Sequence, residues 1–239
     1  MKQGRIIVIT GSPGTGKTTA ASIVAKESGM DKSVHMHTDD FFHYLSKGAI
    51  PPHLPESNEQ NLVVIEAFLE AAKRYARGGY DVIVDGIVGP WFLEPWRALA
   101  REGYEVHYIV LRAGKEETMR RAVQRAKLDR KTNIELVETM WEQFCGLGRY
   151  EAHVIDTTNC SVQETVSAIQ EKSQAGRLCS PEAGLSGNTG LTRRYKATTK
   201  ILFCHGSILK NPPKASKING FTKRKGAYYT TTTPFLKVP

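Results

Sequence analysis

A chain of 239 residues has room for one α/β domain of ordinary size and an additional segment. It holds no apolar run near the roughly 20 residues of a membrane span, and its amino terminus lacks the pattern of a signal peptide. The net charge of +9 does not make the whole chain a nucleic-acid binder: from Ser180 onward eleven Lys and Arg face the single acid Glu182, net +10, whereas the first 179 residues carry 22 bases and 23 acids, net −1.

In chain order, RIIVIT (5–10) reads as a first core strand, dense in Ile and Val. Residues 11–18 then read GSPGTGKT, which satisfies G-x-x-x-x-G-K-[ST] between that strand and a predicted helix, TTAASIVAKES. Each part has a task. Gly11, Gly14 and Gly16 allow backbone angles that turn successive amides toward one anion. The helix N-terminus adds partial positive charge. Lys17 reaches the outer phosphates, and the Thr18 hydroxyl supplies a ligand to Mg²⁺. Gly11, Ser12, Gly14, Thr15, Gly16, Lys17, Thr18 and Thr19 are therefore the expected nucleotide-binding stretch, with Lys17 also catalytic. A dinucleotide fingerprint is excluded, because Lys17, Thr18 and Thr19 follow Gly16 where a third glycine is needed. No N-K-x-D sequence selects guanine, so ATP is the expected donor.

The second strand, SVHMH (33–37), runs into Thr38, Asp39 and Asp40. His35-x-His37-x-Asp39 resembles the start of a metallo-hydrolase H-x-H-x-D-H signature, but Asp40 stands where its last histidine belongs, and a metal site on these histidines is set aside. In a parallel sheet both strands end at one carboxyl edge, so a carboxylate at the second tip faces the crevice where ligands bind. Phosphoryl transfer to an alcohol needs a base there, and Asp39 is placed for it. Asp40 is expected to point elsewhere and to cap the following helix; capping is also the plain alternative for either aspartate.

Between Asp39 and Glu66 stand five acids (Asp39, Asp40, Glu56, Glu59 and Glu66) and one base, Lys47. That balance opposes an anionic acceptor and suits a neutral or cationic polyol. Ser57 with Gln60 has capping-box spacing, as do Thr132 with Glu135 and Ser161 with Glu164. DVIVDGIV (81–88) is a third strand in which Asp85 closes an apolar run, the Walker B form, expected to hold a Mg²⁺-bound water. Trp91, Phe92 and Trp96 follow; they wall the acceptor site or pack under a loop. VHYIVL (106–111) is a fourth strand. In RRAVQRAKLDRK, Arg121 and Arg125 lie four apart on one helical face, with Arg130 beyond; a lid helix would bring a guanidinium onto the phosphates, while a solvated basic face is the alternative. HVID (153–156) is the fifth strand, and DTTN (156–159) follows it. Five strands alternating with helices imply a parallel sheet covered on both faces.

These pieces (GSPGTGKTT, the aspartate after the second strand, VIVDGIV, RRAVQR and DTTNCS) resemble small P-loop kinases. The nearest resemblance is to the chloramphenicol phosphotransferase-like group, with shikimate, gluconate and zeta-toxin-type kinases further off; it covers about residues 4–172. It implies a P-loop three-layer sandwich with strand order 2-3-1-4-5, Asp39 as catalytic base, and an adenine-contacting loop at 156–159 that includes Thr157. Arg125 is assigned to catalysis and Arg121 to the nucleotide; Asp40, Glu56, Glu59, Asp85 and Trp91 are assigned to the acceptor, and Thr18 and Asp85 to the metal. The implied activity is ATP- and Mg²⁺-dependent transfer to a small-molecule hydroxyl, possible acceptors including an aminoglycoside-like or chloramphenicol-like antibiotic.

After Ser173 the periodicity fails, and residues 174–239 are expected to form a basic, weakly ordered extension. A different class of function uses that extension: an NTP-dependent switch or nucleic-acid-associated ATPase, whose salt-sensitive binding would vanish on truncation near Gln174. Cys145, Cys160, Cys179 and Cys204 are widely spaced and read as reduced thiols of a cytoplasmic protein.

Overall fold

In a computed structural model, the described residues are 2–128, 134–175 and 178, without the side chains of 125–128 and 175. The basic segment from 180 onward lies outside them, as do Thr132 and the side chains of Arg125 and Arg130. Five strands form one parallel sheet in the order β2-β3-β1-β4-β5, with β1 Ile6–Thr10, β2 Ser33–His37, β3 Asp81–Asp85, β4 Val106–Arg112 and β5 Val154–Asp156. The order and the presence of all five strands agree with the expectation from sequence; the third strand ends at Asp85, three residues short of its expected end.

The sheet's two faces carry separate apolar layers, because side chains alternate along each strand. Ile6, Val8, Val82 and Val84 pack with Phe68, Leu69, Trp96 and Leu99, which come from α3 (Asn58–Arg77) and α4 (Glu94–Arg101). Ile7, Ile9, Ile83, Ile109 and Leu111 pack with Ala21, Val24, Val166 and Ile169, from α1 (Lys17–Lys26) and α7 (Val162–Ala175). Helices on both faces explain why β1 and β3 are buried along their whole length and carry unbroken apolar runs, Ile6–Ile9 and Val82–Val84. The remaining helices are α2 (Thr38–His43), α5 (Lys115–Leu128) and α6 (Ile134–Gln143). No described helix is long and apolar enough to cross a membrane.

Two predicted caps meet different fates. At α7 the capping box is reciprocal: Glu164 accepts from the Ser161 amide at 2.7 Å, and Ser161 Oγ accepts from the Glu164 amide at 3.2 Å. Ser57 is the N-cap residue of α3 but makes no capping bond. Its hydroxyl donates to the carbonyls of Leu54 and Pro52, and Gln60 bonds both backbone groups of Ile50 at 2.8 Å. The two polar side chains tie down the loop before α3 instead of closing its first turn.

At the amino-terminal edge, Asp81 is 1% exposed and held by Arg5 Nη2 at 2.8 Å, Arg5 Nε at 3.2 Å and Ser28 Oγ at 2.7 Å. Removing one partner of a buried pair typically costs about 3–5 kcal/mol. Arg5 keeps 28% exposure and can turn to water, so the cost falls at or below the bottom of that range. Asp81→Ala is expected to destabilise the fold by about 2–3 kcal/mol in urea unfolding, well above an ordinary surface change. A loss under about 0.5 kcal/mol would show the pair to be ornamental.

Candidate active site

β1 delivers the chain into the glycine-rich loop at the carboxyl edge of the sheet. Gly11 sits at φ +144°, and a Cβ there would run into the Leu111 carbonyl of β4, so only glycine fits the first step. Gly16, in the left-handed region, is the N-cap of α1. The Ser12 carbonyl gathers the loop: Thr15 Oγ1 and Lys17 Nζ each donate to it at 2.9 Å. Thr19 lies in the first turn of α1.

Thr18 Oγ1 donates to Asp85 Oδ2 at 2.6 Å, so the hydroxyl and carboxylate expected to serve one metal ion stand together. Asp85 is 3% exposed. Burial by itself pushes its carboxyl up, but hydrogen bonds from His35 and Thr18 and the charges of His37 and His35 outweigh burial, and the group lies below the usual carboxylate range. The bonds are His35 Nε2 at 2.8 Å and His37 Nδ1 at 2.7 Å, both to Asp85 Oδ1. These histidines therefore bear on Asp85, not on Asp39.

Sequence reading missed this link, although a signal was present. Residues 35 and 37 share a strand face, and parallel pairing of β2 with β3 sets His37 beside Asp85.

Asp39 and Asp40 are both exposed and lie in the first turn of α2. The helix begins one residue before Asp39, its N-cap is His37, and no side chain caps it. Asp40 is thus not a cap, which corrects that expectation; both carboxylates instead lie near the positive end of a short helix. The entrance to α2 is pinned by a close approach, since a Cβ on Gly86 would collide with the Thr38 side chain. The loop following Asp85 is held as well: the Val88 amide donates to Thr10 Oγ1, and buried Tyr108 donates to the Val88 carbonyl, each at 2.8 Å.

On the other side of the loop, α5 reaches back. Arg121 donates from Nε to Glu117 at 2.6 Å, from Nη2 to the Thr157 carbonyl at 3.2 Å and from Nη1 to the Gly14 carbonyl at 3.5 Å. Arg120 and Arg121 together hold the Glu117 carboxyl down at about 2. Arg121, the phosphate loop and the turn after β5 are thus joined by hydrogen bonds. The turn is braced by Asp156, which accepts from the Thr158 amide and hydroxyl, and by Thr158 Oγ1, which accepts from the Gly114 amide at 2.8 Å. Ser12 Oγ and Thr157 Oγ1 are buried and have no hydrogen-bond partner among the described residues. Such groups are costly to leave bare, and both lie on segments expected to meet nucleotide.

Glu56 and Glu59 are exposed, on a short 3-10 turn and at the start of α3. Trp91 is 43% exposed, with its ring edge-on to Phe144 at 5.3 Å, whereas Trp96 is fully buried in the core. Of the two tryptophans, only Trp91 is available to a ligand. The second arginine of the pair, Arg125, has its side chain outside the described residues.

A family described as AAA domain matches residues 7–161, from β1 through the turn after β5. The chain belongs to this AAA domain family. No curated relative matches it. Among solved structures, this AAA domain is similar to a sugar kinase from Janibacter, at 20% identity and TM-score 0.53 over 72% of this chain and 95% of that one. It is also similar to the tunicamycin resistance protein of Deinococcus radiodurans, at 19% identity and TM-score 0.52 over 73% and 98%. At such identities the likeness is one of fold, and it agrees with the P-loop sheet order.

Proposed function

We propose that the protein is an ATP-dependent phosphotransferase that moves the γ-phosphoryl group to a hydroxyl of a neutral or cationic small molecule. The observation that carries this reading is the Thr18–Asp85 contact at 2.6 Å, which joins the phosphate loop to a strand-end carboxylate beside the aspartate-bearing start of α2. The kinase and antibiotic-resistance descriptions of the two structural neighbours support it.

The chain's residues divide the work. The phosphate loop and Lys17 hold and orient the triphosphate, and Arg121 and Thr157 flank the nucleotide. Thr18 Oγ1 and Asp85 Oδ2 are hard oxygen donors in contact, a set that fits Mg²⁺. When bound, that ion offsets charge on the phosphate oxygens. Asp39 accepts the proton of the acceptor hydroxyl as its oxygen bonds to the γ-phosphorus; the bond to the β-bridging oxygen breaks and ADP leaves. In this reading Asp40, Glu56, Glu59 and Trp91 are assigned to the acceptor, and Arg125 to stabilising the transferring group. Residues 1–173 constitute the catalytic unit in this reading, with the extension from 174 dispensable for chemistry.

The acceptor's charge is testable. Four exposed carboxylates repel an anion and attract a cation, although water and salt screen each of them. Glu56→Gln with Glu59→Gln is expected to raise KM for an amino-sugar acceptor by about two- to fivefold, as exposed charges do, and to leave KM for ATP unchanged. Added salt should mimic the substitution. Efficient phosphorylation of shikimate, gluconate or a nucleoside monophosphate, with amino sugars inert, would reverse the assignment of charge.

A further inference from the structure

We propose that His35, His37 and Asp85 form a binding site for one borderline divalent transition cation, of the zinc or cobalt(II) class, separate in chemistry from the magnesium expected with nucleotide. Among the described residues these three are the group whose ligand atoms converge, all within 4.8 Å of one another. The convergence is built into the sheet. His35 and His37 project from one face of β2, and the β2–β3 register sets His37 beside Asp85. Their rings lie 4.3 Å apart between centroids, tilted by 50°, and each presents one nitrogen to the same oxygen, Asp85 Oδ1.

Two imidazoles and one carboxylate are an odd set for magnesium, which takes oxygen ligands and keeps its waters. They are an ordinary set for zinc, cobalt or nickel, which bind imidazole nitrogen well. Three protein ligands leave a further coordination position open. The present contacts of 2.7 and 2.8 Å are hydrogen-bond lengths. Ligand atoms around a tetrahedral zinc stand about 3.3 Å apart, so opening the cluster by roughly half an ångström admits the ion. Side-chain rotation supplies that much without moving the strands. His37 is 34% exposed and His35 18%, which leaves a path from solvent, while Asp85 is anchored from behind by Thr18 through its other oxygen. The carboxylate thus has one oxygen on the phosphate loop and one on the histidines.

A hydrogen-bond cluster that merely stabilises the buried Asp85 would show the same contacts but no metal affinity. The test is a titration of zinc, and separately cobalt(II), into the untagged full-length chain without nucleotide or acceptor and with magnesium in excess. One ion per chain is expected, together with a visible cobalt spectrum that magnesium does not remove. His35→Ala should weaken binding by at least about tenfold. His37→Gln, which keeps a donor for Asp85, should do the same, with each variant's melting checked. Independently of any variant, X-ray absorption on the zinc-loaded wild-type chain should report two imidazole nitrogens and oxygen. No bound ion, equal binding by a folded His37→Gln, or a sulfur-dominated shell would overturn the proposal. Because ATP and acceptor are absent from the titration, either outcome leaves the phosphotransferase reading to its own test.

Discussion

Lys17→Ala is expected to abolish ATP turnover while leaving the fold intact. Lys17 is the only cation in the loop GSPGTGKT, and its ammonium is the group that reaches the outer phosphates. Its Nζ now rests on the Ser12 carbonyl at 2.9 Å, within the loop that would receive the triphosphate. No other side chain of the loop can replace it: Ser12 and Thr15 carry hydroxyls, and the rest are glycine, proline and threonine. Turnover should fall to the detection limit in a coupled ADP assay, with circular dichroism and melting unchanged. Wild-type turnover from the purified variant would remove the phosphate loop from the chemistry altogether.

Asp39→Asn carries the second large effect. A positioned general base contributes about 10²–10⁴ in rate, and the amide keeps shape and hydrogen bonding while losing the proton acceptor. Transfer should therefore drop about a hundredfold or more with ATP affinity nearly unchanged. The register argues for this residue: His37 pairs with Asp85 across β2 and β3, so Asp39 leaves the sheet edge two residues beyond the Walker B carboxylate. Asp40→Asn is the internal control. Since Asp40 caps nothing in α2, its change should disturb stability little and the rate less than Asp39→Asn. Larger loss from Asp40 than from Asp39 would move the base to its neighbour.

How much of this was readable beforehand follows from the range of each interaction. The strands β1, β3 and β4 were legible because each carries a short apolar run, and the phosphate loop because all its parts are consecutive in sequence. The Ser161–Glu164 cap was legible for the same reason. Ser57 and Gln60 have equal spacing, yet their side chains serve a neighbouring loop, a competition that spacing alone does not reveal. Trp91 and Trp96 look alike in WFLEPW, but Trp96 shares the buried face of α4 with Leu99 three residues on, and Trp91 precedes that helix. The histidine contacts on Asp85 span 50 residues in the case of His35 and exist only through strand register. That is why HMHTDD reads locally as an aspartate site with incidental histidines, and in three dimensions as histidines serving a different aspartate.

The most direct test of the central claim is phosphoryl transfer itself. The full chain, ATP and magnesium should be incubated with a panel of polyols, sugars, amino sugars and antibiotics, and the acceptors weighed by mass spectrometry. The account predicts a phosphorylated neutral or cationic acceptor formed in step with ADP, with the product absent from the Lys17→Ala reaction. ATP hydrolysed to ADP and free phosphate at one rate with every compound, or stimulated only by nucleic acid, would contradict it.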